Sequence, residues 1–172
     1  MEKLKKLCNH IFIDGLSGMA LGLFATLLTG TIIQQIGLLI GGGLGDTVYF
    51  FGKMAAAVTG AGIGVGTACK FKESPLVVLS AATAGMMGAF ASNILAGKVL
   101  VEGAIVLSGP GEPLGAFIAA LVGIELGHLV SGKTKVDILV TPLTVILSGS
   151  VVGLILGPPI SRFMGALGAL IN

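Results

Sequence analysis

Residues 109–137 read GPGEPLGAFIAALVGIELGHLVSGKTKVD, and within them the twenty residues from Pro113 to Gly132 carry only two ionisable side chains, Glu125 and His128. Twenty helical residues rise about 30 Å, the thickness of the hydrocarbon core of a bilayer. The stretch therefore predicts a membrane-spanning helix with a carboxylate and an imidazole at spacing i, i+3, on one face. One carboxylate at the centre of an inserted helix costs about 2.5–3.5 kcal/mol, so such groups are expected to face a cavity, a partner or a solute. The GPGEP turn adds Glu112 at the helix entrance and is expected to bring it near the other two.

The rest of the composition agrees with a membrane protein. The chain is 54% hydrophobic and 10% charged, with a mean hydropathy of +1.04, whereas soluble domains carry about 25% charged residues. The predicted class is an all-α integral membrane protein of about five transmembrane helices with glycine-broken or re-entrant segments, forming a single domain over residues 1–172. A net charge of +2 without aromatic-basic interleaving gives no sign of nucleic-acid binding. Cys8 and Cys69 make neither a disulfide framework nor a CxxC metal pair, and both flank segments placed at the cytoplasmic face, where thiols stay reduced.

In chain order, Met1 to His10 reads as a short interfacial helix whose lysines face anionic headgroups. The run that follows is too long for the apolar part of a signal peptide. Asp14 is expected to cap the first span, placed near Ile11 to Ile33, while residues 34–46 are left as a re-entrant or surface segment. The second span is placed at Thr47 to Cys69. Its glycines at 60, 62, 64 and 66 form two GxxxG pairs suited to close helix packing. They fail the GxGxxG spacing of a dinucleotide loop. The third span, Ser74 to Gly97, carries Asn93 as a packing or capping amide and Met86 and Met87 as gap-fillers. Residues 98–112 read either as a re-entrant hairpin or as a partly buried loop. The last span is placed at Ile138 to Ser161, with Gly157-Pro158-Pro159 breaking its far end and residues 163–172 starting a further apolar segment.

The segment PLGAFIAALVGIELGHLVSGKTKVDILVTPLTVILSG, together with GLSGMALGLFATLLTG and VVGLILGPPIS, resembles the membrane IIC component of phosphotransferase-system sugar transporters. Within that family it is similar to the divergent branch that includes the perfringolysin O regulatory membrane protein. Members are about twice as long, so the chain matches an N-terminal half. The resemblance implies a permease component for a small polar solute, a sugar, working with a separate cytosolic IIB-type subunit that donates the phosphoryl group. Some members are named regulators, so a membrane regulatory or scaffold protein without transport activity is the alternative. In better-understood IIC families a glutamate and a histidine hold the sugar; by chemistry Glu112, Glu125 and His128 are the candidates here, since carboxylates and imidazole accept hydrogen bonds from hydroxyls. The competing reading is that Glu125 and His128 satisfy one another or a neighbouring helix as packing glue. No catalytic arrangement, cofactor or metal site is legible, and a homo-oligomer is expected.

Basic residues set the expected orientation. With a cytoplasmic N-terminus, seven lysines (Lys3, Lys5, Lys6, Lys70, Lys72, Lys133 and Lys135) lie inside, and Lys53, Lys98 and Arg162 lie outside. A single cysteine at Ser131, in a background without Cys8 and Cys69, should resist impermeant thiol reagents applied to intact cells. Labelling from outside would reverse the topology.

Overall fold

The computed structural model describes residues 2–171, so Met1 and Asn172 lie outside the described residues. The chain is almost wholly helical. An uninterrupted helical run contains α1 (Glu2–Cys8), a π segment π1 (Asn9–Gly15), α2 (Leu16–Leu23), a second π segment π2 (Phe24–Leu28) and α3 (Thr29–Ile40). Then come α4 (Gly42–Ala57), α5 (Thr59–Lys70), α6 (Pro75–Ala89), the short α7 (Ala91–Leu95), a hairpin β1 (Leu100–Val101) and β2 (Ala104–Ile105), α8 (Pro113–Val130) and α9 (Asp137–Ile171).

Among the described residues three helices are long and apolar enough to cross a bilayer, Asn9–Ile40, Pro113–Val130 and Asp137–Phe163; a fourth span results when α4 and α5, bent by 53°, count together. The shorter apolar helix α6 brings the bundle to about five, as expected, although the third span, Ser74 to Gly97, is not one helix. It divides at Phe90, leaving α6 with 15 residues, a rise of about 22 Å. The first span is longer than expected, since Gln34 does not end it: its amide donates back to Gly30 O at 3.4 Å within the helix. Asp14 caps nothing, because the helix has already begun and Asp14 lies inside π1. The true break comes at Gly41 and Gly42, whose φ values of 67° and 62° reverse the chain into α4.

The distal end of α9 also departs from expectation. Pro158 and Pro159 lack the N–H groups that would bond residues 154 and 155, yet the helix continues to Ile171. Contact with α7 holds this section: Gly157 lies against Ala91, and the Ser92 and Ser161 hydroxyls are 2.9 Å apart. Residues 98–112 contain an outward-facing hairpin instead of a buried re-entrant element. Leu100 pairs with Ile105 and Val101 with Ala104, around Glu102 and Gly103 at φ 51° and 81°, the positive pair of a type I′ turn.

What holds the bundle together is backbone-to-backbone contact at glycine. Successive residues on an α-helix are 100° apart, so glycines two apart lie on nearly opposite faces. In α5, Gly60 and Gly64 meet Gly85 and Ala81 of α6, whereas Gly62 and Gly66 meet Gly22 and Gly18 of α2. A methyl group at Gly18 would lie 2.6 Å from Thr67 Cα, and one at Gly115 of α8 would lie 2.7 Å from Gly88 O of α6. Gly123 and Gly149 make the corresponding approaches between α8 and α9, each with a carbonyl oxygen 2.7 Å from the added carbon. Between these contacts lies a small-residue core of Ala68, Val77, Ala81, Ala84, Ala120, Ile124 and Val145. A second cluster gathers Ile63, Ala89, Phe90, Ala116 and Phe117. The α3–α4 pair is fastened the same way, Gly30 against Gly52 and Gly37 against Gly45, and turns Phe50, Phe51 and Met54 outward.

Gly62→Leu or Gly66→Leu should lower the melting temperature in detergent. Overpacking costs about 1–3 kcal/mol, and each kcal/mol moves Tm by about 2–4 °C at this size. Gly43→Leu, with nothing within 4 Å of its added carbon, should change it little. Equal melting curves for all three variants would show that α5 does not pack through its glycines.

Candidate functional site

The first-named candidates belong to the last turns of α8. Glu125 and His128 are five and two residues from its end at Val130, so they lie toward an interface and not at mid-helix. They share one end of the molecule, as expected, but they do not pair with each other. Glu125 Oε1 lies 2.9 Å from His10 Nε2, which reaches it from π1. His128 Nδ1 lies 2.9 Å and 3.1 Å from the two carboxylate oxygens of Glu73, in the α5–α6 turn. An ionised carboxylate can only accept, so in each pair the imidazole N–H donates. Glu125 and His128 thus do not satisfy one another; each meets a neighbouring element instead, the other form of the packing reading, in two separate imidazole–carboxylate clasps.

Local structure explains how each partner arrives. His10 is stacked on Phe71, ring centroids 3.8 Å apart and planes inclined by 25°, which fixes the imidazole against α5 before it meets Glu125. Glu73 is placed by a Schellman-type helix end. Its N–H donates to Ala68 O at 3.1 Å, the Lys72 N–H donates to Cys69 O at 3.0 Å, and Lys72 occupies the left-handed region at φ 60°. Glycine ordinarily fills that position, and a lysine there costs about 1 kcal/mol or more. The turn then enters α6 through Ser74, whose hydroxyl lies 2.8 Å from that of Ser131 beyond α8. Beside it, Asp137 closes the α8–α9 turn by accepting from Gly132 N at 2.9 Å and Thr141 Oγ1 at 2.7 Å.

The two clasps differ in burial. The Glu73 side chain is 10% exposed, whereas those of His10 and Glu125 are 38% and 48% exposed. His128 faces outward over the enclosed Glu73 carboxylate. Lys70 and Lys72 lie in the same turn region and Lys133 and Lys135 follow α8, so this end of the bundle is basic around its paired carboxylates.

Glu112 is elsewhere. It stands immediately before Pro113 at the opposite end of α8, with its N–H donating to Ala89 O at 2.8 Å. Thirteen residues separate it from Glu125, about 20 Å along the helix axis. The GPGEP turn cannot bring the two together because the whole helix stands between them. What the turn does is give α8 an acidic entrance, favourable at a helix N-terminus, while Gly111, at φ 70°, passes against Ala89. His10, Phe71 and Glu73 were missed by sequence reasoning. A usable signal was that the chain has only two histidines, and that an imidazole beside a long apolar run needs a partner.

Comparison with known proteins adds the family. The description "Phosphotransferase system, EIIC" matches residues 13–172, and the chain belongs to that family: it is a membrane protein, a component of a phosphotransferase-system transporter. No curated protein and no solved structure matches the chain.

The burial difference sets the order of two substitutions. His128→Ala leaves the enclosed Glu73 carboxylate without its donor and should cost about 1–3 kcal/mol. His10→Ala, acting on a half-exposed pair, should cost less, since exposed ion pairs contribute about 0–1 kcal/mol. Melting of both variants checks the order, and a larger loss for His10→Ala would contradict it.

Proposed function

We propose that this EIIC-family chain is the membrane permease component for a small polar solute, a sugar, and that it works with a separate cytosolic IIB-type subunit that supplies the phosphoryl group. The family match over residues 13–172 carries this reading. In it, the basic end is cytoplasmic, in keeping with the seven-to-three division of basic residues. Glu125 and His128 contact the solute there, with His10 and Glu73 as members of the same group. Each clasp holds donors and acceptors that sugar hydroxyls can replace one for one, so opening it to admit a solute leaves no polar group unsatisfied. Glu112, at the other end of α8, contacts the solute at the opposite mouth, since one small molecule does not reach both ends. A homo-oligomer belongs to this reading as well, and the outward apolar side chains of α4 supply surface for a second copy.

One observation favours a second reading, a membrane regulatory or scaffold protein without transport. Glu125 and His128 already have partners within the chain, as residues that lock helices together would. Uptake of labelled sugars by cells carrying the full-length protein separates the two, together with equilibrium binding and melting of purified wild type, Glu125→Gln, His128→Ala and Glu112→Gln. On the permease reading, wild type binds a sugar and Glu125→Gln weakens binding by about tenfold or more, the loss of a charge-assisted hydrogen bond, while Tm moves by a few degrees at most. Wild type that neither binds nor imports any sugar, with Glu125→Gln altering only Tm, would replace the permease with the regulator.

A further inference from the structure

Away from the clasps, at the end of the molecule that carries α7, Arg162 raises an electrostatic question. It interrupts a helix that is otherwise apolar on both sides: residues 138–161 contain no charge, and FMGALGALI follows. Among the described residues no carboxylate lies within ion-pairing distance of it. A guanidinium at the end of such a span favours an anionic partner. Arg162 borders a cleft of about 430 Å³ lined by Ser92, Leu95, Ala96, Pro158, Ser161 and itself.

The cleft is rich in donors. The Ser92 and Ser161 hydroxyls are 2.9 Å apart; one O–H is used between them, and among the described residues no other acceptor engages the second. The guanidinium adds five N–H donors in a planar fork suited to two oxygens of one anion. The other walls, Leu95, Ala96 and Pro158, are apolar. Depth fixes the surroundings. Arg162 is 25 residues beyond the start of α9 at Asp137, a rise of about 37 Å, which exceeds the hydrocarbon thickness of about 30 Å. With one end of α9 at one interface, Arg162 comes to the level of the opposite headgroups.

We propose that the Ser92–Ser161–Arg162 cleft binds a phosphate oxyanion, the guanidinium and the second hydroxyl holding its oxygens and the apolar walls taking the hydrocarbon next to it. The depth of Arg162 makes a lipid phosphodiester the natural source, and free phosphate offers the same oxygens. The site lies at the other end of the molecule from the His10–Glu125 and Glu73–His128 pairs and does not rest on the permease reading.

The test is native mass spectrometry of the detergent-purified full chain with short-chain phosphatidylglycerol, diacylglycerol of the same chain length, and inorganic phosphate as competitor. Wild type should retain phosphatidylglycerol and not diacylglycerol. Arg162→Gln should weaken binding by about tenfold or more, as expected for charge-assisted hydrogen bonds, and Ser161→Ala should weaken it several-fold. Arg162→Lys, which keeps the charge but loses the fork, should fall between Arg162→Gln and wild type. Displacement by millimolar phosphate identifies the free ion as a competent ligand, and its failure assigns the site to the lipid; either supports an oxyanion site. Equal retention of diacylglycerol, or unchanged affinity in both Arg162→Lys and Ser161→Ala, would overturn the proposal even if Arg162→Gln failed to fold.

Discussion

Helix backbones in this protein touch, and nearly every other feature depends on that contact. With no side chain at Gly18, Gly22, Gly62, Gly66, Gly60, Gly64 and Gly85, α5 is clamped between α2 and α6 at distances that even a methyl group would violate. In a bilayer the lipid tails compete with apolar side chains on equal terms, so association relies on close van der Waals approach and on what close approach allows polar groups to do. The small core of Ala68, Ala81, Ala84 and Ala120 is the interior expression of the same rule.

The polar end follows from the apolar one. Because α2 lies tight against α5, π1 carries His10 to Phe71 and on to Glu125. Because α6 lies tight against α8, the α5–α6 turn brings Glu73 under His128. The imidazole–carboxylate pairs tie together ends of helices whose axes are already set by glycine, and the left-handed Lys72 supplies the last adjustment. The glycine contacts set the helix axes, and the clasps can open at their ends without separating those axes.

Much of the architecture is legible in the residues. Hydropathy and length identify α8 and α9, and the spacing of Gly60, Gly62, Gly64 and Gly66 marks close helix packing, though not that it occurs on two faces. Helix ends are less legible, for a physical reason. Asp14, Gln34 and the Pro158-Pro159 pair look like terminators locally, but the N–H and carbonyl groups of a helix in an apolar medium have no better partner than the helix itself, and neighbouring helices hold it through weak points. At the candidate site, the i, i+3 spacing of Glu125 and His128 places both on one helix face but says nothing about what faces them. Their partners are 115 and 55 residues away in sequence. Glu112 shows the converse: a turn drawn as adjacent on the page is separated from Glu125 by the length of a helix.

The reversal between α3 and α4 has a practical side. Gly41 and Gly42 require positive φ, and among the described residues a methyl group added at either, or at Gly43, would meet nothing within 4 Å. Chain conformation alone makes the corner, with no packing to disturb, and corners of that kind accept inserted sequence. The two helices that meet there are fastened along their length by Gly30–Gly52 and Gly37–Gly45. A rigid fusion partner spliced at this corner would inherit their orientation, giving the helical bundle a fiducial mark for imaging.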